Sequence, residues 1–239
     1  MSNRCCNDTC RGQRLSHEVK ILIRLGHPNV VALLGTAFVF GEERVIVLPW
    51  YKNGTVVTYA QTRSVSCRLC LICAGMGYLH NLEPPVVHGD LKGENILVDD
   101  DGHAVISDFG LSNEILDTAQ NTVGGSLRWI APELLFDVDR EGEDKGGCEN
   151  LTPSNASDVW AFGCTVYEIL IGRLPYHSRQ FDWAIIQDIM RGVGPLRPDD
   201  MLIHESIELS SLLEACWSLQ PCDRPTMAEI APRLSDVTL

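Results

Sequence analysis

An acid, a cation and an amide stand within six positions of one another near the middle of the chain. They are Asp90, Lys92 and Asn95, and a second acid, Asp108, follows thirteen positions after the amide. Transfer of a phosphoryl group to a hydroxyl needs such a set: an acid that accepts the hydroxyl proton, oxygen ligands for Mg²⁺, and a cation that faces the developing phosphate charge. The types and spacing of these residues therefore indicate phosphoryl-transfer chemistry.

Three short motifs follow one another in the same part of the sequence. They are HGDLKGEN at 88–95, DFG at 108–110 and APE at 131–133. A single triplet occurs often by chance, whereas the three in this order resemble the catalytic loop, the metal-binding triplet and the end of the activation segment of the protein kinase superfamily. The resemblance covers roughly residues 15–236. It implies a two-lobed α+β fold with ATP held between the lobes.

The resemblance implies a role for each residue of the central cluster. Asp90 corresponds to the catalytic base, Lys92 to the γ-phosphate contact, and Asn95 and Asp108 to the Mg²⁺ ligands. A lysine two positions after the aspartate is typical of Ser/Thr kinases. The segment GSLRW at 125–129 resembles their substrate-facing loop, with Ser126 where these enzymes usually have threonine. We therefore expect ATP and Mg²⁺ as cofactors and a protein substrate that is modified on serine or threonine.

Residues upstream of the cluster match the nucleotide-binding side of the family. Leu48 aligns with the gatekeeper position, and Pro49, Trp50 and Tyr51 align with the hinge. Glu18 aligns with the helix glutamate that normally pairs with the ATP-binding lysine. A charged helix face in contact with solvent would also explain Glu18.

Further matches concern the scaffold of the family. Asp158, in SDVWAFG, matches the aspartate that braces the catalytic-loop backbone, and Arg224, in CW-(x)6-RP, matches the arginine that pairs with Glu133. The motifs HGDLKGEN and CW-(x)6-RP resemble those of the tyrosine-kinase-like branch of Ser/Thr kinases, particularly its fungal members. His88 is expected to pack in the core without a chemical role.

The sequence departs from the family pattern in two places. No G-x-G-x-x-G and no V-A-I-K lysine precede residue 15, and Lys20 follows Glu18 on one predicted helix, so it cannot replace a strand lysine. We therefore expect an N-terminally truncated kinase with weakened activity, because one lost electrostatic donor costs about 10²–10³ in rate. A catalytically silent pseudokinase that acts as a binding scaffold is the alternative.

The second departure lies in the catalytic loop. Gly89 replaces the arginine that normally pairs with a phosphorylated activation loop, which predicts activation without that pair.

The resemblance, together with a change from strand-like to helix-like segments, implies a division of the chain into three parts. Residues 1–14 are a polar tail, residues 15–53 a partial kinase N-lobe with the hinge, and residues 54–239 the kinase C-lobe. The fold class predicted is α+β: a bilobal kinase fold with an incomplete small β-lobe and a complete, mainly helical C-lobe. Periodicity predicts helices at 15–25, 65–81, 158–171, 180–191, 207–216 and 226–235, and extended segments within 30–40, 44–50, 86–98 and 104–106.

Composition excludes several classes of function. The net charge of −13 argues against nucleic-acid binding through bulk charge, and no stretch reaches the ~18 apolar residues of a membrane span. The N-terminus has no apolar segment of a secretory signal, so we expect a cytoplasmic location and free thiols for the ten cysteines. One helix cannot surround a tetrahedral zinc ion with Cys67, Cys70 and Cys73.

Two acidic stretches are expected to be structural. The run Asp99–Asp101 precedes Gly102 and is typical of a solvated turn rather than a metal site. Residues 137–150 have no apolar face, which predicts an exposed loop insertion.

Overall fold

The structure is a computed structural model of the 239-residue chain. The residues that it describes are 15, 16, 18–39, 43–60, 66–108, 126–135, 152–235 and 237. The predicted tail at 1–14, Phe109 and Gly110 of the DFG triplet, and the acidic insertion at 137–150 lie outside the described residues.

Short strands occur early in the described part of the chain, and helices dominate the later part. In chain order the elements are α1 (18–22), β1 (Gly35–Val39), β2 (Glu43–Val47), α2 (Val56–Ala60), α3 (Ser66–His80), β3 (Ile96–Val98), β4 (Ala104–Ile106), α4 (Asn155–Ile171), α5 (Asp182–Met190), α6 (Met201–His204), α7 (Ile207–Cys216) and α8 (Met227–Ser235). The α+β class predicted from the sequence is confirmed.

The strands form two separate antiparallel ribbons. In the first, β1 pairs with β2, with Gly35 opposite Val47. In the second, β3 pairs with β4, with Ile96 opposite Ile106. Val30 forms an isolated parallel bridge to Ile106, so the predicted extended run at 30–40 is divided: its beginning joins the second ribbon, and its end forms β1.

Helix α4 is the centre of the large lobe. Every residue from Ser157 to Ile169 is buried. The helix begins three residues earlier than predicted because Ser154 and Ser157 form a capping box, in which each hydroxyl accepts the other residue's backbone N–H. Gly172, at a φ of 68°, ends it in the left-handed conformation that glycine tolerates best.

Other helices pack around α4 and complete the core of the large lobe. Helix α7 packs against α4 and α8, and α3 packs against α8 and β4. The largest fully buried side chains of the core include Trp160, Phe162 and Tyr167 of α4. Of the thiols on α3, that of Cys67 is exposed and that of Cys73 is buried, and all six described cysteines are free. Among the described helices, none has the length and apolar content needed to cross a membrane.

Candidate active site

The catalytic-loop side chains that the sequence singled out meet around one carboxylate. Asp90 is buried, and its Oδ2 lies 3.1 Å from Lys92 Nζ and 3.0 Å from Asn95 Nδ2. Asn95 Nδ2 also donates to the Asp90 carbonyl at 2.9 Å. Lys92 Nζ donates at 2.9 Å to Ser126 Oγ, which belongs to the predicted substrate-facing loop. The structure thus brings together the predicted base, cation, amide and loop hydroxyl.

The contacts of Asp90 leave its two oxygens in different states. Oδ2 is held by Lys92 and Asn95, whereas no hydrogen bond between described residues uses Oδ1. A fixed carboxylate with one uncommitted oxygen can accept a proton from a hydroxyl that approaches on that side. The geometry therefore suits the base role expected for Asp90.

Asp158 fixes the backbone that carries this carboxylate. Its Oδ2 accepts the His88 backbone N–H at 2.8 Å, and its Oδ1 accepts the Gly89 N–H at 2.9 Å. His80 Nε2 lies 2.9 Å from the same Oδ2. Gly89 has a φ of 78°, a conformation that glycine adopts more readily than other residues. The bracing role predicted for Asp158 is confirmed.

His88 joins the catalytic loop to the segment that leads to the second acid. The Asp90 backbone N–H donates to His88 Nδ1 at 3.2 Å, so the ring proton is assigned to Nε2, which lies 2.9 Å from the Ser107 carbonyl oxygen. The ring is fully buried. The prediction of a structural histidine is confirmed.

Asp108 lies where the second ribbon ends, close to the catalytic loop. Ser107 donates to the Asn95 carbonyl through its backbone N–H at 2.9 Å and through its hydroxyl at 3.0 Å, which holds Asp108 next to the loop. Asp108 is exposed and has a φ of 62°, uncommon for a residue other than glycine. Strained backbone of this kind is often found at functional sites.

Glu18 of α1 faces the same acid from the small lobe. Burial raises the pKa of the Glu18 carboxyl above its ordinary value, and the negative charge of Asp108 raises it further. The two carboxylates are thus within electrostatic reach of each other, and the field between them favours a cation.

The residues present fit a magnesium ion. Asp108 offers an exposed carboxylate. Asn95 uses its amide nitrogen toward Asp90, while no hydrogen bond between described residues occupies its amide oxygen. Carboxylate and amide oxygens are the hard ligands that Mg²⁺ prefers.

The residues predicted to form the hinge follow β2 and precede α2. Leu48 is half-buried and packs against the core, and Tyr51 accepts the Gly54 N–H through its carbonyl at 3.2 Å. Pro49 is half-buried, whereas the side chain of Trp50 is 90% exposed. The segment connects the two lobes, and nucleotide contact by these residues stays a prediction.

Arg224 and Glu133 form the ion pair expected from the sequence. Arg224 Nη1 and Nη2 lie 2.7 and 2.6 Å from the two carboxylate oxygens, a bidentate arrangement. The guanidinium is fully buried, donates to the Ala156 carbonyl at 2.8 Å, and lies over the Trp160 ring at 5.2 Å. The pair ties the end of the activation segment to the start of α4.

One residue near the site, Glu168, carries no motif and was not predicted, and another, Arg128, lies in the predicted substrate-facing loop but had no role assigned to it. Glu168 of α4 accepts the Gly93 N–H at 2.9 Å. Arg128 donates through Nη1 to the carbonyls of Pro175 and Tyr176, at 2.8 and 2.9 Å, and so holds the substrate-facing loop. A charge inside the apolar run of α4 is the signal that could have pointed to Glu168, because glutamate is rarely fully buried without a reason.

Comparison with known proteins places these features in a family. A family model described as "Protein tyrosine and serine/threonine kinase" matches residues 4–234. Receptor-interacting serine/threonine-protein kinase 1 of Homo sapiens is 33% identical over 239 residues, which are 91% of this chain and 33% of that protein. Receptor-interacting serine/threonine-protein kinase 3 of Rattus norvegicus is 31% identical over 247 residues, covering 94% of this chain and 49% of that protein. Mitogen-activated protein kinase kinase kinase 5 of Arabidopsis thaliana is 32% identical over 223 residues, 90% of this chain and 29% of that protein.

The chain spans about half the length, or less, of these curated relatives. They support the tyrosine-kinase-like branch, while the fungal type stays a prediction. With the family match over nearly its whole length and the catalytic-loop geometry described above, the chain belongs to the protein tyrosine and serine/threonine kinase family.

Proposed function

We propose that this chain transfers the γ-phosphoryl group of Mg²⁺-bound ATP to a serine or threonine hydroxyl of a protein substrate. The observation that carries the proposal is the contact of Lys92 Nζ with both Asp90 Oδ2, at 3.1 Å, and Ser126 Oγ, at 2.9 Å. These contacts join the acid, the cation and the substrate-facing loop in one cluster.

The residues of the cluster have separate tasks in the proposed reaction. Asp90 orients the incoming hydroxyl and accepts its proton on Oδ1. The Lys92 ammonium, fixed beside the acid, faces the transferring group and stabilises charge that develops on its oxygens. Asn95 and Asp108 would hold Mg²⁺, which neutralises phosphate charge when bound. Leu48, Pro49, Trp50 and Tyr51 would contact the nucleotide from the hinge.

The finer parts of the proposal rest on composition. A net charge of −13 supports a protein substrate rather than a nucleic acid. The free state of the six described cysteines supports a reducing, cytoplasmic location.

The test measures nucleotide binding and transfer separately. Calorimetry with Mg²⁺-ATP is expected to show binding by the 239-residue chain and by Asp101→Asn, an exposed acid outside the site, but not by Asp108→Asn. Mass spectrometry of a peptide substrate is expected to show transfer by the chain and by Asp101→Asn, while Asp90→Asn binds nucleotide without transfer. Equal transfer by the chain and by Asp90→Asn would refute the base role.

A second candidate is a nucleotide-independent binding module. The observation that favours it is that burial and, second, the charge of Asp108 raise the pKa of the Glu18 carboxyl, while no described lysine or arginine forms a salt bridge with Glu18. A folded chain that binds no Mg²⁺-ATP in the same calorimetry would support this candidate and exclude the first.

A further inference from the structure

Glu168 is a buried carboxylate under the catalytic loop. It lies on α4, is 3% exposed, and accepts the Gly93 N–H through Oε2 at 2.9 Å. Among the described residues no lysine or arginine forms a salt bridge with it. An uncompensated charge in this position is costly to bury, so its contact with the loop calls for an explanation.

The fit between Glu168 and the loop leaves no spare room. A Cβ added at Gly93 would lie 2.8 Å from Glu168 Oε2 and would clash with Val57 Cγ2 of α2. The absence of a side chain at residue 93 is what allows the carboxylate to reach the backbone. The contact is therefore built into the packing of α2, α4 and the loop.

Gly93 stands between the two functional side chains of the loop. It directly follows Lys92, and it begins the 3-10 turn Gly93–Asn95. The Asn95 N–H donates to the Lys92 carbonyl at 3.0 Å across this turn. A displacement of Gly93 would therefore move the Lys92 ammonium and the Asn95 amide together, and both hold Asp90 Oδ2.

Glu168 also lies close to the substrate-facing loop. Burial is the largest effect on the pKa of this carboxyl and raises it, whereas the nearby Trp129 indole lowers it. The Trp129 N–H itself forms no hydrogen bond with a described residue. The remaining charged neighbours belong to the catalytic loop: Glu94 raises this pKa and Lys92 lowers it. One carboxylate thus lies between the catalytic loop and the substrate-facing loop.

We propose that Glu168 is a positioning residue of the phosphoryl-transfer site. Its carboxylate fixes Gly93, and through this residue it sets Lys92 and Asn95 against Asp90. The inference rests on the proposed kinase function, since positioning has a purpose only if the loop performs transfer.

The protonation of Glu168 supplies a readout that a purely structural role does not. Burial raises its pKa to about 7, against the opposing effects of the Gly93 N–H, Trp129 and Lys92. A carboxylate accepts a stronger hydrogen bond than a protonated acid does. The hold on Gly93 should therefore tighten as the pH rises through about 7.

Nuclear magnetic resonance of the 239-residue chain tests the contact without nucleotide. The Gly93 amide proton is expected to shift with pH, with a midpoint near the Glu168 pKa of about 7. The same titration is expected in Glu214→Gln, which changes an exposed acid on α7. In Glu168→Gln, an uncharged variant of nearly the same shape, the Gly93 shift is expected to stay flat.

Kinetics then test the consequence for catalysis. Glu168→Gln is expected to lower kcat about tenfold or more at pH 8 through misplaced groups, to leave the KM for ATP unchanged, and to remove the inflection near neutral pH. A Gly93 amide that does not titrate, or that titrates equally in Glu168→Gln, overturns the proposal. Because the amide titration needs no ATP, a chain without transfer activity would refute the kinase proposal while leaving the Gly93 contact measurable.

Discussion

Glu168 shows how a single residue can cost stability and still serve a site. Burial raises the pKa of its carboxyl from an ordinary value of 4.5 to about 7. The folded chain therefore holds a proton that the unfolded chain releases between these two values, and folding becomes less favourable as the pH rises through this window. A glutamine at the same position would avoid the cost but could not offer a charged acceptor to Gly93.

Replacing Glu168 with glutamine should expose this cost as a function of pH. Between pH 4.5 and 7, the free energy of unfolding of Glu168→Gln should rise relative to the parent chain, by on the order of 3 kcal/mol in total. Above this window the difference should stay constant. Urea denaturation at a series of pH values measures it, and a difference that does not vary with pH would contradict a raised pKa.

The distance in sequence between partners decides which site residues could be predicted. Asp90, Lys92 and Asn95 lie within one short loop, so their local spacing indicated the cluster that the structure shows. Glu168 is 75 positions from its partner Gly93, and its neighbours in sequence are the apolar residues of α4. Only the packing of α4 against the loop brings the two together, and no local pattern encodes that packing.

At the scale of elements, the turn Gly93–Asn95 is fitted between α2 and α4. Gly93→Ala would press its methyl group against Val57 and Glu168. We expect a loss of about 1–3 kcal/mol in the free energy of unfolding, the usual cost of overpacking. Gly26→Ala is the matched control, because an added methyl group there meets nothing within 4 Å, and it should change stability by less than about 0.5 kcal/mol. Equal thermal midpoints of the two variants would refute the tight fit.

The pair of Arg224 and Glu133 joins three elements that are far apart in sequence. Glu133→Gln would leave the fully buried guanidinium without its counter-charge. We expect a loss below the roughly 3–5 kcal/mol typical of fully buried pairs, because the Glu133 side chain is 27% exposed. Chemical denaturation measures this loss, with Glu229→Gln on the exposed side of α8 as a comparison. A loss of the same small size in both variants would mean that the pair contributes little.

Periodicity located the long helices and missed the short ones. Helix α7 has the predicted bounds, and α5 and α8 each differ from prediction by no more than two residues at an end. Helices α2 and α6, of five and four residues, were missed because they are too short to show an apolar period. The parallel bridge of Val30 to Ile106 could not be predicted from the sequence either, because it joins segments that no hairpin connects.

At the scale of the molecule, Arg224 holds both flanks of the stretch 136–151. It binds Glu133 on one side of the stretch and the Ala156 carbonyl on the other. A residue outside the stretch thus contacts both of its flanks.

The sequence predicts an exposed loop insertion at 137–150, so lengthening the stretch that contains it should change stability very little. Insertion of about sixteen glycine and serine residues after Asp144 doubles its length, and a doubling costs about 0.6 kcal/mol of loop-closure entropy. The thermal midpoint should stay within a few degrees of that of the parent chain, as measured by calorimetry. A collapse of stability would mean that the stretch itself holds the flanks in place.

The exposure of Trp50 makes the hinge visible to spectroscopy. Three of the five tryptophans, Trp129, Trp160 and Trp217, are buried, and only Trp183 shares the exposure of Trp50. In a Trp183→Phe background, the fluorescence that iodide can quench should come from the hinge alone. Nucleotide contact with Trp50 stays a prediction; such contact should shield the indole from iodide, and the quenching would then report occupancy, with Trp50→Phe as the blank.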